Sequence, residues 1–163
     1  MRTGRPDGVR APVRDWRMAT TTLSASCSPE AVFAVLGDGW LYPSWVVGAS
    51  RIRDVEPAWP AEGARIHHSF GVWPALIDDT TSVLEYDPPR RMVLKARGWP
   101  MGSARVVLEV TPTPSGCHLS IDEDAIEGPG RLVPSPVRQP LIHVRNIETL
   151  RRLRYLAEGR AAG

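Results

Sequence analysis

The sequence predicts an α+β fold in which a curved antiparallel sheet of about seven strands surrounds a long C-terminal helix. The first observation is that residues 49–127 form successive runs of strand-forming residues separated by turns. The second is a change of period after Pro140, where Leu141, Val144 and Ile147 begin a series of apolar residues at every third position. A helix of this kind has to bury its apolar stripe, and the strands are its only large partner.

Length and composition restrict the class of protein. The chain has 163 residues, of which 42% are hydrophobic and 23% charged. These values are typical of a globular domain with a single core, and they exclude disordered, coiled-coil and collagen-like chains. No apolar run approaches the roughly 18 residues that a membrane span needs. Two cysteines are too few for a disulfide framework or a thiolate zinc site. We expect a cytoplasmic protein, and we also expect no cofactor.

The first residues differ from the rest of the chain. Residues 1–17 mix Gly, Pro and Arg without any period, which indicates a disordered basic arm. We therefore expect a single domain over residues 18–163. Met18 is an alternative start of the protein, because the patterned sequence begins just after it.

The net charge of +2 is unevenly distributed, since both ends of the chain are basic and the middle is acidic. Lys95 is the only lysine, so the arginine bias extends over the whole chain and indicates a coding preference rather than a nucleic-acid interface. No RNA-recognition or helix-turn-helix motif is present. We expect no nucleic-acid partner.

The domain begins with a strand and two short helices. Thr20–Ser26 has the β-branched alternation of a strand. Ser28 and Pro29 are typical of a helix N-cap followed by proline at the first helical position, and Gly37 ends this short helix. Residues 41–45 then predict a turn or a second helix of one turn.

Six further strands follow, and consecutive strands are joined by turns rich in proline and glycine. Runs of this length with short turns between them are typical of an antiparallel meander. The predicted strands are Ser50–Val55, Ala64–Phe70, Leu76–Tyr86, Met92–Ala96, Ser103–Thr111 and Cys117–Ile126.

The last element is a helix. Pro134, Pro136 and Pro140 predict that regular helix begins only after Pro140. About 17 helical residues would then span roughly 25 Å, enough to cross a whole sheet. The apolar series from Leu141 to Leu156 is expected to face the strands.

Motifs for nucleotide binding, zinc peptidases and serine hydrolases are absent from the sequence. Adjacent residues of a strand point to opposite faces, so Asp78 and Asp79 cannot share a metal ion, and neither can His67 and His68. We expect no metal site.

Five short motifs, taken in order, resemble the helix-grip fold of the START-like superfamily that includes the birch-pollen allergens. More narrowly, the sequence is similar to the polyketide cyclase/dehydrase-like branch of the SRPBCC proteins. The resemblance covers about residues 19–158 and implies a ligand pocket rather than a particular reaction. The motifs are Ser28-Pro29-Glu30-Ala31-Val32-Phe33, Tyr42-Pro43-Ser44-Trp45, Glu85-Tyr86-Asp87-Pro88-Pro89-Arg90-Arg91, Glu127-Gly128-Pro129-Gly130 and Arg145-Asn146-Ile147-Glu148-Thr149-Leu150.

A curved sheet around one helix is expected to leave a cavity for a small hydrophobic or aromatic molecule, polyketide-like or lipid-like. Small residues at Ala96, Gly98 and Ala104 would leave room for it. Strand alternation and the apolar helix face predict which residues contact the ligand. The predicted ligand-binding residues are Trp45, Ile66, His68, Phe70, Met92, Leu94, Val106, Leu108, Ile121, Glu123, Asn146 and Leu150.

Polar groups inside such a cavity are candidates for catalysis. His68, Glu123 and His143 would supply a base and an acid for enolisation or dehydration, which is the cyclase interpretation. The alternative is that each of them anchors a ligand or bonds the backbone, as buried polar groups do in any protein. The protein would then be a ligand carrier without turnover.

Three further alternatives remain open. One is a protein-interaction module, like the co-chaperone relatives of this fold, which would have a filled interior and an exposed apolar patch. A second is binding to a membrane surface or to nucleic acid through the arginine-rich last helix, which salt would weaken steeply. The third is a redox switch formed by Cys27 and Cys117, since the helix-grip topology implies that their two strands are neighbours. We expect reduced thiols there. Either a monomer or a homodimer is compatible with the sequence.

Overall fold

The computed structural model of the chain describes residues 20–98, 100 and 102–163. Within these residues, seven strands form one antiparallel sheet, two short helices follow the first strand, and a long helix follows the last. The α+β helix-grip class is therefore confirmed. The predicted basic arm over residues 1–17 and the alternative start at Met18 lie outside the described residues.

The elements have the following bounds. The strands are β1 (Thr21–Ala25), β2 (Ala49–Val55), β3 (Arg65–Val72), β4 (Ala75–Asp87), β5 (Arg91–Gly98), β6 (Gly102–Thr113) and β7 (Gly116–Glu127). The α-helices are α1 (Pro29–Leu36), α2 (Tyr42–Trp45) and α3 (Ser135–Ala161), with short 3₁₀ turns at Gly39–Leu41 and Pro129–Leu132.

The sheet has the strand order β1-β7-β6-β5-β4-β3-β2. Strands β2 to β6 each pair with the next strand in sequence, as the meander predicts. The first strand instead pairs with the last, so that Leu23 lies opposite Leu119. Register shifts interrupt β2 and the β4–β5 pairing, and such bulges bend a sheet and increase its twist.

The sequence signals at α1 act as expected. The Ser28 hydroxyl accepts a hydrogen bond from the Ala31 backbone N–H, and Pro29 lies in the first turn, where a backbone N–H has no helical partner. Gly37 caps the other end. Val32 and Leu36 lie on the face of α1 that joins the core.

The predicted start of the last helix is wrong. Helix α3 begins at Ser135 and has 27 residues, with Pro140 inside it. Pro136 lies in the first turn, where its missing N–H costs nothing. Pro140 lies one turn later, so it removes the single bond to the carbonyl of Pro136 and the helix continues past it.

The apolar stripe of α3 also differs from the prediction. Leu150, Leu153 and Ala157 are fully buried, whereas Leu141 and Val144 are 71% and 69% exposed. A helix turns about 100° per residue, so apolar residues at every third position drift around the helix instead of forming one face. Leu141 and Leu150 are nine positions apart and therefore point in opposite directions.

Candidate functional site

A cavity of about 490 Å³ lies between the sheet and the N-terminal half of α3. The short helix α2 closes one side of it. The sheet contributes His68, Phe70, Ile77, Leu94, Ala96, Ala104, Val106, Ile121, Glu123 and Ala125, the helix α3 contributes Arg138, Leu141, Ile142, Arg145, Asn146 and Thr149, and α2 with the residue after it contributes Tyr42, Trp45 and Val46.

Small residues on β5, β6 and β7 leave this space open. Ala96 lies opposite Ala104, and Ala104 lies opposite Ala125, so three neighbouring strands present methyl groups to the helix. Gly102 has a further constraint, because its φ is +110° and a Cβ there would lie 1.9 Å from the carbonyl oxygen of Glu127. Backbone geometry thus requires glycine at this edge of the cavity.

Eight of the residues predicted to bind a ligand line the cavity: Trp45, His68, Phe70, Leu94, Val106, Ile121, Glu123 and Asn146. The other four, Ile66, Met92, Leu108 and Leu150, are at most 2% exposed and belong to the hydrophobic core instead. Ile66, Met92 and Leu108 follow the inward parity of their strands, but they lie where side chains fill the interior. The alternation along a strand predicts which face of the sheet a residue lies on. It does not predict whether that part of the strand lies at the filled core or at the cavity.

His143, a predicted catalytic candidate, does not line the cavity. Its side chain is exposed on α3, and its Nδ1 atom lies 2.9 Å from the Thr21 hydroxyl. The contact joins α3 to β1. The structure therefore brings His68 and Glu123 to one cavity wall and leaves His143 on another side of the helix.

An ion pair joins the two walls of the cavity. Glu123 on β7 is 8% exposed, and its carboxylate accepts a hydrogen bond from the Arg145 guanidinium on α3. Arg145 was not predicted as a site residue, because the period of three places it between apolar positions on the outer side of the helix. The inward position predicted for Glu123 could have indicated such a residue, because a buried carboxylate requires a cationic partner.

A second polar group connects α2 with the sheet. The Thr81 hydroxyl lies 2.9 Å from the Tyr42 hydroxyl and 3.0 Å from Nε2 of His68. The rings of Tyr42 and His68 are also in contact, with centroids 5.2 Å apart. Neither Tyr42 nor Thr81 was predicted, because the pairing of α2 with β3 and β4 is a tertiary contact.

Burial controls the protonation of Tyr42 and His68. It raises the pKa of Tyr42 to about 12, so the phenol stays protonated. It lowers the pKa of His68 below 6.5, although the Asp79 carboxylate acts in the opposite direction. The His68 imidazole is therefore neutral at pH 7 and can accept a proton.

Among the cavity residues, Asn146, His68 and Trp45 have buried polar atoms without a hydrogen-bond partner in the part of the chain that the structure describes. These atoms are both amide atoms of Asn146, Nδ1 of His68 and Nε1 of Trp45. Asn146 is 0% exposed, and His68 and Trp45 are each 2% exposed. Any molecule in the cavity meets these polar atoms on a mainly apolar surface.

A second depression, of about 760 Å³, lies near the other end of the sheet. It is bordered by the start of α1 and by the β4–β5 and β6–β7 turns, and it opens widely to solvent. Ser28, Pro29, Pro88, Pro89 and Pro112 form much of its surface. An apolar molecule would stay largely hydrated there, so the more enclosed cavity under α3 is the better candidate site.

Cys27 and Cys117 are buried free thiols whose side chains contact each other. Burial raises the pKa of both, that of Cys117 to about 11. Thiols with raised pKa values are poor nucleophiles. Over residues 20–98 and 102–163, no group of three or more His, Cys, Asp or Glu side chains is arranged to hold a metal ion.

Comparison with known proteins identifies the family. The family model described as "Polyketide cyclase / dehydrase and lipid transport" matches residues 16–154. No curated protein matches the chain at a significant level. None of the helices in the described part of the chain is long and apolar enough to cross a membrane.

Solved structures with the same fold are similar to this chain at low sequence identity. Protein NE0264 from Nitrosomonas europaea is 16% identical, with a TM-score of 0.71 over 91% of this chain and 99% of that one. The di-domain ARO/CYC protein StfQ of the steffimycin biosynthetic pathway is 14% identical, with a TM-score of 0.71 over 90% of this chain and 52% of that one. DynU16, from the dynemicin biosynthetic locus, is 17% identical, with a TM-score of 0.64 over 87% of this chain and 47% of that one.

Proposed function

The chain belongs to the polyketide cyclase / dehydrase and lipid transport family, and on that premise we propose that it binds a small hydrophobic or aromatic molecule, polyketide-like or lipid-like, in the cavity under α3. The observation that carries this proposal is the cavity itself, with a volume of about 490 Å³ and a mainly apolar lining. Pockets for small molecules generally have roughly 300–1,000 Å³ and a few polar groups on an apolar wall.

The cavity also favours a ligand-binding role over the protein-interaction alternative, because an interaction module of this fold is expected to have a filled interior. Apolar wall residues such as Phe70, Leu94, Val106 and Ile121 supply contact area without a specific charge. Binding strength would come mainly from the burial of apolar surface of the ligand.

Native mass spectrometry of the protein purified from its own host tests the proposal. We expect the wild-type protein to carry a small-molecule adduct. Ala104→Phe places a ring in the cavity and should remove the adduct, since the space is then occupied. Arg105→Phe is the matched control: it adds the same ring one residue later, on the opposite face of β6, and should retain the adduct. An adduct that persists in Ala104→Phe would place the ligand elsewhere.

A second candidate function is turnover of the bound molecule, as in a cyclase or dehydrase. The specific observation is His68, a buried neutral imidazole that has Thr81 at one ring nitrogen and lines the cavity. A base of this kind accelerates proton abstraction next to a carbonyl by about 10²–10⁴-fold. Glu123, held by Arg145, would act on charge or orientation rather than as a free base.

Turnover is tested with the molecule released from the adduct, incubated with each protein and followed by mass spectrometry. Loss of conversion by about 100-fold or more in His68→Gln, with binding retained, supports catalysis. His143→Gln is the control outside the cavity and should convert the molecule as the wild type does. Conversion that survives both His68→Gln and Glu123→Gln would contradict acid–base chemistry by these groups, and no conversion by any protein would indicate a carrier.

A further inference from the structure

The unpartnered polar atoms of the cavity wall carry information about the ligand. Asn146, His68 and Trp45 come from α3, β3 and α2, yet their unpartnered atoms belong to residues that line one cavity. Buried polar groups almost always have a hydrogen-bond partner, and leaving one without a partner costs about 1–3 kcal/mol. Three such residues around one space indicate that its occupant supplies the missing partners.

The chemistry of these atoms restricts the occupant. The Trp45 indole N–H is a donor only, so it requires an acceptor. The Asn146 amide has both a donor and an acceptor, and both are unpartnered. The occupant must therefore accept a hydrogen bond and also donate one. A pure hydrocarbon does neither.

The charges of the cavity restrict it further. Glu123 and Arg145 compensate each other across the cavity, and burial keeps the His68 imidazole neutral at pH 7 because it lowers its pKa. Arg138 has the Asp124 carboxylate within 3.4 Å, and Arg97 is exposed. Among the residues that the structure describes, the charged side chains directed into the interior are thus paired with a counterion. A charged group placed there would lose its hydration without a counterion.

We propose that the cavity recognises a neutral ligand whose apolar body carries both a hydrogen-bond donor and an acceptor, and that Asn146 is the residue that selects it over a hydrocarbon or a carboxylate of the same size. This inference rests on the proposed function, because it assigns the chemistry of the molecule bound in that cavity. Asn146 has the main role because both of its amide atoms are available and its side chain is fully buried.

Three probes with the same ring system test the selection: naphthalene, its carboxamide (naphthamide) and its carboxylate (naphthoate). Their dissociation constants are measured by equilibrium dialysis at pH 7. We expect wild-type protein to bind naphthamide about tenfold more tightly than naphthalene, the value of one or two net hydrogen bonds, and more tightly than naphthoate.

Asn146→Leu is the decisive variant, since leucine has a similar size and no polar atom. It should bind naphthalene at least as well as the wild type and lose the preference for naphthamide. Gln139→Leu is the matched control: it removes a side-chain amide from the same helix, about two turns away, at a residue that does not line the cavity. It should keep the wild-type preference.

The melting temperature of the ligand-free proteins gives a second readout. We expect Asn146→Leu to melt at a higher temperature than the wild type, because it replaces an unpartnered buried amide with an apolar group. A lower melting temperature would mean that the amide already has partners, and would overturn the inference.

The binding outcomes separate the inference from the proposed function. If naphthalene binds and naphthamide binds no better, or if Asn146→Leu keeps the preference, the inference is wrong and the apolar binding function stands. Tighter binding of naphthoate than of naphthamide overturns the neutrality of the ligand. If none of the three probes binds, the proposed function fails, and the inference fails with it.

Discussion

The two halves of α3 lie against the same sheet, but one covers a filled core and the other covers a cavity. In the C-terminal half, Leu150, Leu153 and Ala157 are fully buried. The Glu158 carboxylate accepts hydrogen bonds from the N–H and hydroxyl of Ser26, and Arg160 pairs with Asp38. In the N-terminal half, Leu141 and Val144 are mostly exposed.

The difference originates in the strands below the helix. Under the C-terminal half they carry larger side chains, such as Val110 and Leu119, whereas under the N-terminal half they carry Ala96, Ala104 and Ala125. The two halves of α3 therefore have different structural roles. The filled end, under the C-terminal half of α3, is a packed core that stabilises the fold. The hollow end, under the N-terminal half, contains the cavity and leaves room for a ligand.

The largest expected effect tests the filled end. Leu153→Ala should reduce the free energy of unfolding by about 2–5 kcal/mol, since it leaves a cavity in a closely packed core. Leu141→Ala makes the same change in the other half of α3 and should alter it by less than about 0.5 kcal/mol, because the side chain is exposed. Urea unfolding measures both. Similar losses of unfolding free energy in the two variants would contradict the difference between the two halves of α3.

A smaller effect is expected for the ion pair between Glu123 and Arg145, which joins the two walls of the cavity. Arg145→Met leaves the buried Glu123 carboxylate without its partner and should reduce the free energy of unfolding by about 1–3 kcal/mol at pH 7. Arg151→Met, an exposed arginine of the same helix, is the control and should cost under about 0.5 kcal/mol.

Adding Glu123→Gln to Arg145→Met should restore part of the lost stability, because the unpaired charge is removed. If the double variant is no more stable than Arg145→Met alone in the same urea titrations, the ion pair does not hold the two walls together.

The smallest effect concerns the pH dependence of the hollow end. Burial lowers the pKa of His68 in the folded protein below its ordinary value of 6.5. The unfolded chain therefore binds the proton more strongly, so the stability that neutral His68 contributes is present above pH 6.5 and is lost as the pH falls below it.

The melting temperature, measured between pH 7.5 and pH 5, checks this expectation about stability. His68→Gln should show a weaker decline than the wild type, while His118→Gln, which removes an exposed imidazole and keeps His68, should decline as the wild type does. Equal declines in all three proteins would show that His68 does not titrate as a buried group.

Much of the fold could be predicted from the sequence because its signals are local. Ser28 starts α1 through the hydrogen bond to its hydroxyl and Pro29 through its fixed backbone angle, and turn residues separate the strands of the meander. The start of α3 was missed because Pro136 and Pro140 were both treated as helix breakers. Their effect depends on the turn of the helix in which they lie, and Pro136 in the first turn is compatible with helix.

The candidate site was predictable in part. His68, Glu123 and Asn146 were identified because alternation along strands and the polar positions of a helix indicate which residues face inward. Arg145, Tyr42 and Thr81 were missed, since their roles depend on the contacts of α3 and α2 with the sheet. Ile66 and Leu150 were also predicted to contact the ligand; in the structure they belong to the core cluster and are not part of the cavity lining.

The sequence by itself determined the elements, their order and the inward parity of each strand, because these follow from propensities and periods that act within a few residues. Only the tertiary structure decided where the interior is filled and where it is hollow. That outcome depends on which side chains from distant segments meet at the same depth. The volume left between Ala96, Ala104 and α3 is a property of their packing, and no single segment contains it.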